Sequence, residues 1–82
     1  MMELKDTVEM MLNTDYKERF KAEYWQLKIR HDKLHKMVSN WDKLDFTPTC
    51  EYGTYVCQLS AMEYYMTLLR NRAEQEEVEL DD

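Results

Sequence analysis

The residues most able to do chemistry are two histidines four positions apart, His31 and His35, and two cysteines seven apart, Cys50 and Cys57. An i, i+4 histidine pair can offer both rings to one metal ion from one face of a helix. Here no glutamate stands between them in the HExxH register, and no third or fourth ligand is evident. The pair therefore reads as one seam histidine and one surface histidine, and no metal is expected. Two cysteines seven apart on one helix lie about 10 Å apart along its axis, too far for a disulfide. Reduced thiols fit a cytosolic chain. A nucleophilic thiol needs a neighbouring base in an electropositive pocket, and nothing beyond the place of Cys50 near a helix start points to one. A single glycine excludes the loops that cradle phosphates, and Ser39 and Ser60 have no triad context. No catalysis and no cofactor are expected.

What remains is a basic and aromatic constellation. Residues 15–43 hold eight Lys or Arg against five Asp or Glu, a local excess of positive charge. Lys17, Lys21, Lys28 and His35 share one flank, interleaved with Tyr16, Tyr24 and Trp25, and Arg70 flanks the opposing stripe. Cations beside aromatic rings suit an anionic ligand with planar rings, which means a nucleotide. The ordinary alternative is that these lysines merely line a hydrophobic seam and extend their ammonium groups into water. The charge is too weak for duplex nucleic acid, which needs a broad basic surface.

Two heptad stripes must position these groups. Phe20, Tyr24, Leu27, His31, Leu34, Val38 and Trp41 follow steps of four and three, as do Tyr52, Tyr55, Leu59, Met62, Met66, Leu69 and Ala73. Such steps keep side chains on one face of an α-helix that packs on another helix. The spacing predicts a first long helix over 15–43, opened by Asp15 and Glu18 at capping-box spacing. A loop follows over 44–50, where Pro48 bars Thr47 from the α region and Thr49 can cap what comes next. A second long helix runs over 51–77, with Gly53 costing about 1 kcal/mol near its start. So short a connection makes the two helices antiparallel neighbours. Ahead of them Leu4, Val8 and Met11 mark a weaker helix over 3–13.

The fold class expected is therefore all-α: an antiparallel helical hairpin with a short N-terminal helix, one domain over 1–82. Trp25, Ile29, Met37, Val56, Tyr64, Tyr65 and Leu68 lie off the two stripes and predict a further apolar surface. Assembly of copies into a homo-oligomeric helical bundle is expected from it. The net charge of -6 is local, because residues 74–82 carry six acidic and no basic side chains. That run, with its end at 78–82, reads as a solvated, frayed tail. No apolar run approaches the roughly 18 residues of a membrane span, and no signal-peptide core is evident. The chain reads as soluble and cytoplasmic, with no membrane partner.

Longer stretches carry a resemblance. Tyr24-Trp25-Gln26-Leu27-Lys28, Lys33-Leu34-His35-Lys36-Met37-Val38, the loop Leu44-Asp45-Phe46-Thr47-Pro48-Thr49-Cys50 and Gln58-Leu59-Ser60-Ala61-Met62-Glu63-Tyr64-Tyr65 resemble small proteins of crAss-like and related phages. The hairpin also resembles the short helical sponges by which phages sequester cyclic-nucleotide alarm signals, the anti-CBASS and anti-Thoeris proteins. Their M-x-L-x-R-like pattern is similar to Met66-Thr67-Leu68-Leu69-Arg70, and their I-K step to Leu27-Lys28. The resemblance implies an oligomer that binds a cyclic oligonucleotide or cyclic ADP-ribose without cleaving it, in the cytoplasm of an infected bacterium. Lys28 and Arg70 would hold phosphates, Tyr16 and Tyr24 would stack on bases, and His31, the polar break in the first stripe, completes the candidate set. The alternative function is a non-catalytic helical adaptor that oligomerises or docks on a partner helix.

Overall fold

The computed structural model describes residues 2–80 of the 82. A 3-10 turn, Leu4–Thr7, runs into a one-turn helix α1, Val8–Met11. Two long helices follow, α2 over Tyr16–Ser39 and α3 over Tyr52–Gln75, with a 3-10 turn at Trp41–Lys43 between them. All regular structure among the described residues is helical. This is the expected all-α hairpin.

The helix ends differ from the sequence reading for local reasons. Asp15 does cap α2, but its carboxylate accepts from the Lys17 N–H at 3.0 Å, and its own N–H is taken by the Asn13 side chain at 2.8 Å. That leaves no reciprocal place for Glu18, which pairs with Lys21 instead. At the other end Asn40 leaves the helical region (φ −111°, ψ 26°) and its side-chain amide donates to the Lys36 carbonyl at 2.8 Å. The chain then makes the Trp41–Lys43 turn rather than a continuous helix to 43. The N-cap of α3 is Glu51, not Thr49, and no side-chain bond caps it.

The two stripes meet in a fixed antiparallel register. Lys17 Nζ reaches the Glu77 carbonyl at 3.5 Å, the Arg70 guanidinium lies over the Tyr24 ring at 5.6 Å, and His31 meets Glu63 at 3.0 Å. Partners thus step by seven on both strands of the hairpin, as heptad packing requires. Phe20, Tyr24, Met66, Leu69 and Ala73 are buried between the helices, with Leu27 partly so. Behind α2 the N-terminal segment packs on its own hairpin. Thr7 is fully buried, donating to the Leu4 carbonyl at 2.7 Å and accepting from the Gln26 amide at 3.0 Å.

The acidic end is not a frayed tail as far as it is described. After α3 the Val78 N–H donates to the Ala73 carbonyl at 2.8 Å and the Glu77 N–H to the Glu74 carbonyl at 3.4 Å, with Glu77 at φ 57°. These are the two bonds of a Schellman turn, built here on a glutamate where glycine is usual. The turn sends the chain back over the hairpin. Val78 and Leu80 bury themselves in the core cluster, and the Trp25 indole N–H donates to the Leu80 carbonyl at 2.9 Å. The apolar alternation Val78, Leu80 outweighs the solvation of the acidic residues, which stay outside. Asp81 and Asp82 of the expected tail lie outside the described residues.

Candidate ligand groove

Helix α2 positions the site. Trp25, Lys28, Ile29, Asp32 and Lys33 fall on one side of it by the i, i+3, i+4 rule, and the N-terminal residues Met2 and Glu3 wall the space above. Together they line a groove of about 570 Å³, within the size range of small-molecule sites. Trp25 and Ile29 supply the apolar surface, and two lysines stand at the rim. The indole is held by its bond to Leu80, so the C-terminal turn fixes one side of the groove.

The two lysines differ. Lys28 is paired with Asp32 at 3.4 Å, an i, i+4 ion pair. Lys33 is exposed and has no ion-pair partner among the described residues. Asp32 is also tied to His31, whose Nδ1 lies 3.0 Å from Asp32 Oδ1 while its Nε2 lies 3.0 Å from Glu63 Oε2. Only a doubly protonated imidazolium can donate to both carboxylates at once. Burial is the largest influence on the ring and favours the neutral form. The hydrogen bonds and negative charges of Glu63 and Asp32 together outweigh it, so the His31 pKa is raised above 6.5. Burial likewise pushes the Asp32 carboxyl up, but its bonds to His31 and the charge of Lys28 bring it below 3.8. Lys28, Asp32, His31 and Glu63 form one chain of charges from the groove to α3.

A second concavity, about 630 Å³, opens at the loop end of the hairpin beside His35, Trp41, Asp42, Tyr52, Val56 and Glu63. Trp41 packs edge-on against Tyr52 there, ring centres 5.2 Å apart. Its wall carries Asp42 and Glu63 but no lysine or arginine. The α2 groove sets Lys28 and Lys33 against Glu3 and Asp32, so of the two concavities it alone offers an anion a lysine.

Of the five residues singled out from sequence, Lys28 alone lines that groove. His31 stands behind it through Asp32. Arg70, on α3, does not line it; its guanidinium lies over the buried ring of Tyr24 at 5.6 Å. Tyr24, expected to stack on a base, is fully buried: its ring is enclosed by the core and packs edge-on to Trp25 at 5.9 Å. In this conformation a ligand cannot reach it. Tyr16 is half exposed at the first residue of α2, about 18 Å along the axis from Lys28, so the chain does not bring the two together. Sequence reasoning passed over Lys33 and Ile29 as groove residues. Their spacing from Lys28 and Trp25 was visible, but the wall made by Met2 and Glu3 and the hold of Leu80 on the Trp25 indole were not.

His31 and His35 stack with ring centres 5.7 Å apart, and no three His, Cys, Asp or Glu side chains converge as metal ligands among the described residues. Cys50 and Cys57 are both free and exposed. No helix is long and apolar enough to cross a membrane among the described residues.

A family model described as Sequestin matches residues 14–75, which takes in α2, the loop and α3. No curated protein and no solved structure matches the chain. The family's name speaks of sequestering and names no ligand.

Proposed function

This chain belongs to the Sequestin family, and from that premise we propose that it binds a nucleotide second messenger, of the cyclic oligonucleotide or cyclic ADP-ribose type, and holds it uncleaved. The observation that carries this reading is the α2 groove, lined by the apolar Trp25 and Ile29 and by Lys28 and Lys33 beside Asp32 and Glu3. The apolar floor offers van der Waals surface to a base or ribose, and Lys33 and Lys28 offer charge to phosphate. When Lys28 turns from Asp32 to a phosphate, Asp32 keeps its bond to the His31 imidazolium, so no carboxylate is left uncompensated.

A sequestering protein acts by mass action, lowering the free signal without chemistry. It needs a dissociation constant at or below the signal concentration and more binding sites than signal molecules. The biological setting that fits is phage anti-defence in the cytoplasm of an infected bacterium, where the protein competes with a host immune effector. The rival reading, a helical adaptor, rests on the exposed apolar residues of α3 and predicts indifference to nucleotides.

The test is thermal unfolding against a panel of cyclic di- and trinucleotides and cyclic ADP-ribose isomers. A ligand present at 100 times its dissociation constant stabilises the fold by about 2.7 kcal/mol, a midpoint shift of many degrees for so small a domain. The shift should vanish in Lys28→Ala combined with Lys33→Ala, and the ligand released by denaturation should be chemically unchanged. A flat panel at millimolar ligand would sink the reading for these nucleotides.

A further inference from the structure

The concavity at the loop end of the hairpin has a chemistry opposite to that of the α2 groove. Trp41 and Tyr52 line it with their ring planes 70° apart and their centres 5.2 Å apart, which makes two sides of an aromatic corner. Tyr55 backs the Trp41 ring at 5.9 Å, and its hydroxyl accepts from the Cys50 N–H at 3.2 Å, so the loop end is tied to α3. Asp42 stands beside the corner and makes no hydrogen bond or ion pair among the described residues. At the far end Glu63 gives one oxygen, Oε2, to His31 at 3.0 Å, and its Oε1 can accept from a ligand. Between the two carboxylates Val38 and Val56 add apolar surface. Tyr52 and Glu63 are eleven residues apart on α3, so the two ends lie at levels about 16 Å apart along the helix.

We propose that this concavity binds a linear polyamine, with one ammonium group in the corner of Trp41, Tyr52 and Asp42 and another at Glu63. Three features select that ligand. Ring faces attract a cation that has shed part of its water, and a carboxylate at the same spot supplies the counter-charge. No lysine or arginine lines the site, so nothing there but a histidine could compensate an anion. A bare metal ion is poorly served, because no three His, Cys, Asp or Glu side chains converge among the described residues. Finally, the two carboxylates stand too far apart for a single ammonium, whose hydrogen bonds reach about 3 Å. A methylene chain with a charge at each end spans them and lays its apolar length on Val38 and Val56. The site shares no lining residue with the α2 groove, so the inference is independent of the nucleotide reading.

Titration calorimetry of the full chain with spermidine at physiological salt tests it. Spermidine should bind about tenfold more tightly than butylamine, the worth of a second charged contact. Asp42→Asn should weaken spermidine by about tenfold, with helicity unchanged because the residue is exposed. In NMR spectra the Trp41 indole N–H should shift on titration, while that of Trp25, held by Leu80, stays in place. The acidic stretch after α3 is the main competitor for a polycation. Glu74→Gln combined with Glu79→Gln is therefore the control, and it should leave the affinity unchanged. Binding lost in that control and kept in Asp42→Asn would overturn the proposal, as would neither heat nor an indole shift at millimolar spermidine. Equal affinity for butylamine would overturn the two-ended site. Nucleotide-induced stabilisation of Asp42→Asn should match the wild type, since the α2 groove is unaltered there, and this separates the failure of one reading from that of the other.

Discussion

His31 is a polar residue in an apolar stripe, and its two carboxylate partners explain how it is tolerated. Its side chain is only 12 % exposed, yet both ring nitrogens are satisfied. Because its folded pKa is raised above 6.5, the imidazolium contributes stability that is fully present below that value and is lost as pH rises through the folded pKa. Wild-type urea midpoints should therefore fall as pH rises from below 6.5 through the folded pKa, while those of His31→Phe should stay flat over the same rise. The effect should be on the order of 1 kcal/mol, because both carboxylates are more than half exposed and solvent screens them. A wild-type midpoint that does not move would remove the charged histidine from the account. Asp32 acts in the opposite range: its folded pKa lies below 3.8, so its contribution is present above that value and is lost as pH falls through the folded pKa.

Element ends hold more adjustable stability than element middles. Glu77 occupies the left-handed region that costs a non-glycine residue about 1–2 kcal/mol. Glycine at that position escapes most of the cost but loses more chain entropy, so Glu77→Gly should stabilise by about 0.5–1 kcal/mol. A lower melting temperature for this variant would mean that the turn over Val78 and Leu80 depends on the glutamate side chain. Gly53 is the converse case. It sits in the first turn of α3 with ordinary helical geometry, and a Cβ there would meet nothing within 4 Å. Gly53→Ala should therefore raise stability by up to about 1 kcal/mol in denaturant titrations. Leu69 is the inner-seam test. At 1 % exposure, Leu69→Ala should cost about 2–5 kcal/mol, a large share of the roughly 4–12 kcal/mol expected for a domain of this length.

At the scale of the molecule, the hairpin is too long and thin to bury all its apolar surface alone. If copies assemble, folding and association are linked, and the melting temperature should rise with protein concentration. A midpoint constant over a hundredfold range of concentration would mean that the monomer carries all the stability measured. The α2 groove is lined by α2 and by Met2 and Glu3, with the Leu80 carbonyl holding the Trp25 indole, and none of its lining belongs to α3.

The sequence by itself determined the helices, their inner seams and their antiparallel pairing. Steps of three and four identify a buried helix face wherever they recur, and a loop holding Pro48 forces the chain to turn back. Only the tertiary structure decided which aromatics a ligand could reach. Tyr24 and Trp25 are neighbours in sequence, but the register with Arg70 and the core closes over the first while the second lines a groove. It alone showed Glu63 closing on His31, since that pairing spans 32 positions and depends on register. It alone turned an acidic run into a packed segment. Six negative charges predict a solvated end, and as far as residue 80 the chain packs instead, because two apolar residues among them, Val78 and Leu80, fit a site that exists only once α2 and α3 have closed.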